Sequence, residues 1–353
     1  MKKKLCRITA LLLAAVLSLG GCGQPGAGKK RTDSTQQTEE TKNKKEDQSK
    51  SDKKGPEIDG LTYESTMDLT YATEFDVYDY KDGYKLLDVH EDRQYLVVPE
   101  GKEAPEGLSE DIVVLQQPLD HIYMAATAIM SLLDAVDAID QVKFSGLNAS
   151  GWYVEDAKKA MESGDMIYAG KYSEPDYETL VNGECDLAVE STMILHTPKV
   201  QEMIEDLDIP VFVDYSSYES HPLGRTEWIK LYGAMLNKED AADAFFEKQV
   251  ENVDALKDFK NTEKTVAFFY VSSDGTVVVR RSDDYIPKMI ELSGGRYVFD
   301  DLTGDDSNTS AVKLTMEEFY AQAADADYRN KERQLRGQIA NISHDLRTPL
   351  TAI

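Results

Sequence analysis

The chain is poor in cysteine, histidine and positive charge, and each shortage excludes a class of function. Its prominent apolar run, Ile8 to Leu19, falls short of the ~20 residues that a bilayer-crossing helix needs. Three cysteines, Cys6, Cys22 and Cys185, are too few for a disulfide framework. The five histidines show no His-x-x-x-His or related spacing, so no bound bare metal ion is expected. Only 39 Lys and Arg stand against 65 Asp and Glu, a formal charge of −26. Nucleic-acid binding depends on clustered cations against phosphates, and this balance argues against it.

What is present begins at the N-terminus. Lys2, Lys3, Lys4 and Arg7 precede the short apolar run, the order of a secretory signal. The run closes on Leu19, Gly20, Gly21 and Cys22, which resembles the bacterial lipobox. The expectation is a lipoprotein signal peptide over residues 1–21, lipidation of Cys22, and anchorage to the extracytoplasmic face of the cell membrane. Loss of that signal removes four positive groups and leaves the mature chain more acidic still. Cys185, the remaining thiol, lies just ahead of the apolar run Leu187 to Glu190 and reads as the start of a buried strand. Residues 22–55 are Lys, Thr, Ser, Gln, Glu and Asp with scarcely an apolar side chain, which predicts a disordered tether.

Beyond the tether, Phe75 to Tyr80 and Tyr84 to Val89 alternate about Lys81, Asp82 and Gly83, a hairpin pattern. Strand, loop and helix then rotate. Strands are expected at Ile112 to Leu115, Met166 to Ala169, Leu187 to Glu190 and Val211 to Asp214. Helices are expected at His121 to Leu133, Val154 to Met161, Asp176 to Asn182 and Lys199 to Leu207. A helical stretch follows from Pro222 to about Phe259, with a boundary at Asn237 and Lys238. Strands Thr265 to Tyr270 and Thr276 to Arg280 come next, then a helix Ile286 to Leu292 stopped by Gly294 and Gly295. The predicted class is α/β: two Rossmann-like lobes joined by a long helix, the ligand held at the carboxyl ends of the strands. The expected bounds are 56–220 for the N-terminal lobe, 221–260 for the inter-lobe helix and 261–328 for an incomplete C-terminal lobe.

Four stretches in order carry a family resemblance: His221 to Gly233; Pro175 to Glu178 with Cys185 to Ala188; Gly294 to Phe299; and Thr315 to Phe319 with Ala324 to Asp327. They are similar to periplasmic binding proteins of the siderophore, haem and vitamin B12 type, with Cys185 where that family usually has proline. The resemblance implies a binding protein of the two-lobed class III kind, serving an ABC permease and holding an Fe(III) chelate, haem or cobalamin, with no cofactor of its own. By motif position it implies that Glu178 and Glu317 dock the permease. Strand-end loops offer Gln117, His121, Trp152, Tyr172, Tyr215, Tyr218, Arg225, Arg280 and Arg281 as ligand contacts: arginine forks hold anionic chelates and aromatic rings cover flat faces.

After Tyr328 the chain turns basic, and Ile342 to Leu350 resembles the H-box of two-component sensor histidine kinases. That resemblance implies His344 as phosphoacceptor, Asp345 as its partner, Pro349 as a kink, and helix dimerisation through residues 329–353 along Leu335, Ile339, Ile342 and Leu346. It supplies the alternative reading, a phosphorelay sensor kinase with a binding-protein-like input domain. Against enzymatic activity, the sequence contains no ATP-binding domain, and no membrane span separates Cys22 from His344. A junction between two reading frames near Tyr328 is the expectation.

Overall fold

The structure is a computed structural model, and it describes residues 54–90, 92–258, 264–303 and 311–324. The signal peptide, Cys22, nearly all of the tether, and the whole 329–353 segment with His344, Asp345 and Pro349 lie outside the described residues. Among the described residues no helix is long and apolar enough to cross a membrane.

An N-terminal sheet comes first, ordered β1 (Tyr63–Thr66), β2 (Phe75–Tyr80), β3 (Lys85–Val89), β4 (Gln94–Val98) and β5 (Ile112–Gln116). The β2–β3 hairpin forms where the alternation predicts it. Its turn places Asp82 and Gly83 at positive φ, a conformation that Asp tolerates and Gly adopts freely. One face of this sheet buries Phe75, Val77, Leu87, Val89, Tyr95 and Val97 in the main core. The other face closes over Tyr78, Tyr80, Leu86, Leu96 and Val98 with Ile58. Ile112 to Leu115 is a strand as expected, but it pairs parallel to β4 and completes this sheet rather than opening the next one.

The second sheet is parallel throughout, in the order β12 (Val211–Asp214), β11 (Leu187–Ser191), β6 (Ile122–Met124), β7 (Val142–Ser145) and β8 (Ile167–Tyr168). Around it run α1 (Met130–Ala135), α2 (Glu155–Ser163), the small β9–β10 hairpin (Gly170–Lys171 and Glu174–Pro175), α3 (Tyr177–Asn182) and α4 (Pro198–Glu205). The expected helix over His121 to Leu133 is wrong in its first half. Ile122, Tyr123 and Met124 are the central strand, bonded to β11 and β7, and only the last part of the run is helical. A short apolar run suits either state, and two flanking strands decide it.

The long helical stretch is two helices, α5 (Pro222–Leu236) and α6 (Glu239–Asp254). The break is at Asn237, which caps α5 in the left-handed conformation (φ 57°, ψ 43°). α6 packs tightly back on α5, and a Cβ on Gly233 would come within 2.7 Å of the Ala242 methyl. α5 is buried on nearly every side, as its all-round apolar sequence requires. Trp228 meets Phe75 edge-on at 5.0 Å, and Tyr232 meets Phe212 at 5.9 Å.

After α6 the chain forms β13 (Lys264–Val266), β14 (Phe269–Val271), β15 (Val277–Arg280), α7 (Tyr285–Leu292), β16 (Gly295–Tyr297) and β17 (Ala311–Leu314), then a helical segment over residues 316–324. The expected single strand Thr265 to Tyr270 is two: β13 pairs with β16, and β14 joins β15 and β17. Gly294 ends α7 region at φ 76°, as the glycine pair implies. Val277, Val279, Tyr297, Phe299 and Phe319 form a separate core here.

Candidate functional site

Parallel strands carry their functional loops at their carboxyl ends, because the following loops all leave on one side of the sheet. Here those are the segments after β6, β7, β8, β11 and β12. The segment after β12 is the most heavily braced. Asp214 closes the strand with a buried carboxylate that accepts from Ser216 Oγ at 2.6 Å, Ser216 N–H at 3.2 Å and Tyr232 O–H at 2.8 Å. Burial pushes this carboxyl up to about 6, against those hydrogen bonds. Tyr215 and Tyr218 follow with rings 5.3 Å apart, edge to face, Tyr215 buried and Tyr218 exposed.

Arg225, on α5, holds the same segment. Its Nε donates to the Glu219 carbonyl at 3.1 Å, a terminal nitrogen donates to the Ser217 carbonyl, and the guanidinium lies 3.5 Å over the Tyr285 ring. It therefore joins the end of the N-terminal lobe to α7 by a cation–π contact. Below it two fully buried glutamates anchor the chain ahead of β2. Glu227 accepts the N–H groups of Thr70, Tyr71 and Ala72, and Glu219 accepts those of Thr73 and Glu74 together with Trp228 Nε1–H. Backbone donors satisfy these carboxylates, so burial does not strand them.

A cavity of about 570 Å³ opens between the start of α5 and the β15–α7 loop. Its wall includes His221, Asp283, Asp284, Lys288, Arg296 and Tyr297. Asp284 is the N-cap of α7, accepting Ile286 N–H at 2.9 Å. His221 caps α5 through Nδ1, which accepts Leu223 N–H at 3.1 Å, and its ring stacks on Tyr71 at 4.6 Å. Burial, and then the nearby Lys288, hold the His221 imidazole below its usual range.

The sequence-expected contacts divide sharply. Tyr215, Tyr218 and Arg225 come together at the β12 end. Arg280 ends β15 and Arg281 follows it. Arg281 makes a two-point pair with Asp283, at 3.0 and 2.7 Å. Arg280 is 3.9 Å from Asp284, and its backbone N–H donates to Tyr297 Oη. Tyr172 sits half-buried in the β9–β10 turn. Three expectations are corrected. Gln117 is buried, donating to the Met235 carbonyl at 2.9 Å and accepting from Asn237 Nδ2, so it pins the α5 terminus. Trp152 is buried with its indole N–H on Ser145 Oγ at 2.9 Å. His121 precedes β6 and stands at the amino ends of the strands, away from the crevice.

Beside buried Trp152, Tyr153 is 95% exposed, and Met193, Leu195 and His196 are exposed after β11. Tyr285, under the Arg225 guanidinium, and His221, in the cavity wall, carry no signal in the sequence pattern that marks them as contacts. Glu178 and Glu317 are both exposed, at the starts of α3 and of the 316–324 helix. Asp176 caps the first, and the second opens with a reciprocal Thr315–Glu318 capping box.

Residues 124–332, more than half of the chain, match the family described as Periplasmic binding protein. The chain belongs to the periplasmic binding protein family. The match covers the parallel sheet from the end of β6 onward, α5, α6 and the strands after them, and it stops short of His344. Two relatives are the uncharacterized lipoproteins MJ0878 and MJ0872 of Methanocaldococcus jannaschii. This chain is 29% identical to MJ0878 over 236 residues, 64% of this chain and 55% of that one. It is 26% identical to MJ0872 over 338 residues, 92% of this chain and 80% of that one. The matched stretch thus spans little more than half the length of MJ0878. Among solved structures, a periplasmic binding protein from Veillonella parvula is similar at 15% identity and a TM-score of 0.49, covering 74% of this chain and 75% of that one.

Proposed function

We propose that this periplasmic binding protein is a lipid-anchored, extracytoplasmic lipoprotein that captures an iron chelate of the siderophore, haem or corrinoid type for an ABC importer. The observation that carries the reading is membership of the periplasmic binding protein family over residues 124–332; Tyr153, Tyr172 and Tyr218 on loops of the parallel sheet and Arg280 and Arg281 at the end of β15 are the side chains proposed to hold the ligand. Family membership supports the binding role, and the lipobox-like Leu19 to Cys22 with two lipoprotein relatives supports the anchor. Arginine forks suit the carboxylate or catecholate oxygens of a chelate, and tyrosine rings suit its flat faces.

Equilibrium dialysis of the full chain against ferric siderophores, haem and cobalamin tests it. One class is expected to be retained at one equivalent. Arg280→Ala with Arg281→Ala should weaken that retention at least ~10-fold, since each charge-assisted hydrogen bond contributes roughly 1.5–3 kcal/mol. Retention of none of the three classes would refute the ligand assignment.

A further inference from the structure

One hydrophobic core surrounds α5 and the parallel sheet, another lies among β15, β16, β17 and the 316–324 helix, and the two share no residue. Packing inside either core therefore does not set how one lobe stands against the other. Lobes joined without a large apolar interface move relative to each other by default. Among the described residues, α5 and α7 are helices of the two lobes that meet. Arg225 of α5 bridges them, and its guanidinium is used on two sides. Its Nε donates to the Glu219 carbonyl at 3.1 Å and a terminal nitrogen donates to the Ser217 carbonyl, which ties the segment carrying Tyr218 to α5. Its face lies 3.5 Å from the centre of the Tyr285 ring.

Tyr285 is the first residue of α7, directly after the Asp284 cap. The turn ahead of it is closed by backbone bonds, Asp284 N–H to the Arg281 carbonyl at 3.2 Å and Ser282 N–H to the Leu302 carbonyl at 2.8 Å. Movement of Tyr285 therefore carries the end of β15 with it. The cavity of about 570 Å³ takes its wall from residues close in the chain to both partners, Ser220 and His221 ahead of Arg225 and Ser282 to Asp284 ahead of Tyr285.

We propose that Arg225 and Tyr285 are positioning residues, a cation–π pivot that sets the separation of α5 from α7 and with it the width of the cavity between them. Arg225 then holds the crevice in shape and does not touch the ligand, unlike the contact role that its place after β12 implies. Arginine suits a pivot because its edge donates to carbonyls while its face stays free to stack on a ring, whereas lysine offers a point charge. The pivot rests on the two-lobed fold and is independent of the class of ligand.

Pulsed electron double resonance on the full chain, carrying Cys6→Ser and Cys22→Ser, tests the pivot. Nitroxides at Lys159→Cys on α2 and Met289→Cys on α7, both exposed positions, read the separation of the lobes, and Cys185 is buried. The expected result is one narrow distance distribution for the parent, retained by Tyr285→Phe, which keeps the ring face. Tyr285→Leu should broaden it roughly twofold, because the lobes lose the contact that restrains their hinge motion. Arg225→Gln removes the cation, leaves the α7 side chains intact and should broaden the distribution likewise, so it decides the matter if Tyr285→Leu does not fold. No ligand is present in the measurement, so failure of the pivot is distinct from failure of the chelate assignment. A parental distribution in Arg225→Gln would overturn the pivot. So would one as broad in Tyr285→Phe as in Tyr285→Leu, by assigning the effect to the phenol hydroxyl.

Discussion

Glu190 shows how a single residue sets a condition on the whole lobe. It is the fourth residue of β11, 0% exposed, and neither carboxyl oxygen has a hydrogen-bond partner among the described residues. Burial pushes its carboxyl up to about 8. In the unfolded chain the same group ionises near 4.5. The folded state therefore holds the proton and the unfolded state releases it throughout that interval. Stability is greatest below the unfolded value and falls as pH rises towards the folded one, by up to about 1.4 kcal/mol per pH unit. Glu190→Gln, neutral at every pH, should match the parent near pH 4.5 and exceed it in denaturant melts at pH 8. Parallel stability profiles for the two proteins would contradict this. The sequence marks Glu190 as a strand residue, but periodicity does not reveal that its carboxyl lacks a donor. By contrast the buried place read for Cys185 is found: its thiol lies just ahead of β11, and burial pushes it up to about 12.

At the scale of elements, caps and turns were legible because their chemistry is local. Asp176 before α3, Asn237 between α5 and α6, and Gly294 after α7 each stand where the sequence places a boundary. β6 was not legible, since its three apolar residues become a strand only through partners at 142–145 and 187–189. Helix starts also fix the two acidic groups that motif position assigns to docking. Glu178 is in the first turn of α3, and Glu317 follows the Thr315 cap, so both project from braced backbone into solvent. We propose that they contact basic groups of the permease. Reversal of both charges, Glu178→Lys with Glu317→Lys, should cut uptake through the cognate importer at least tenfold while leaving ligand retention unchanged. Uptake at the parental rate in that double variant would exclude the role.

For the whole molecule, the α/β class and the parallel sheet were readable from alternating strands and helices. The five-stranded N-terminal sheet was only half readable, because β4 and the parallel addition of β5 depend on pairing across residues 99–111. The loops at the strand ends are legible in the sequence, yet Gln117 and Trp152, both buried and hydrogen-bonded, and His121, at the amino end of β6, show why loops alone do not name exposed side chains. Side-chain direction depends on packing around α5: buried Glu227 on the helix and buried Glu219 just ahead of it tie down residues 70–74, and Arg225 on the helix reaches Tyr285. A ligand that binds the folded chain adds contacts that the unfolded chain lacks. Thermal unfolding of the full chain, with and without ferric siderophores, haem and cobalamin, tests this most directly. A ligand that binds only the folded state at 100 times its dissociation constant stabilises it by about 2.7 kcal/mol. A clear rise in melting temperature is expected with one chelate class and none with the others. A melting temperature unmoved by every class at saturating concentration would contradict it.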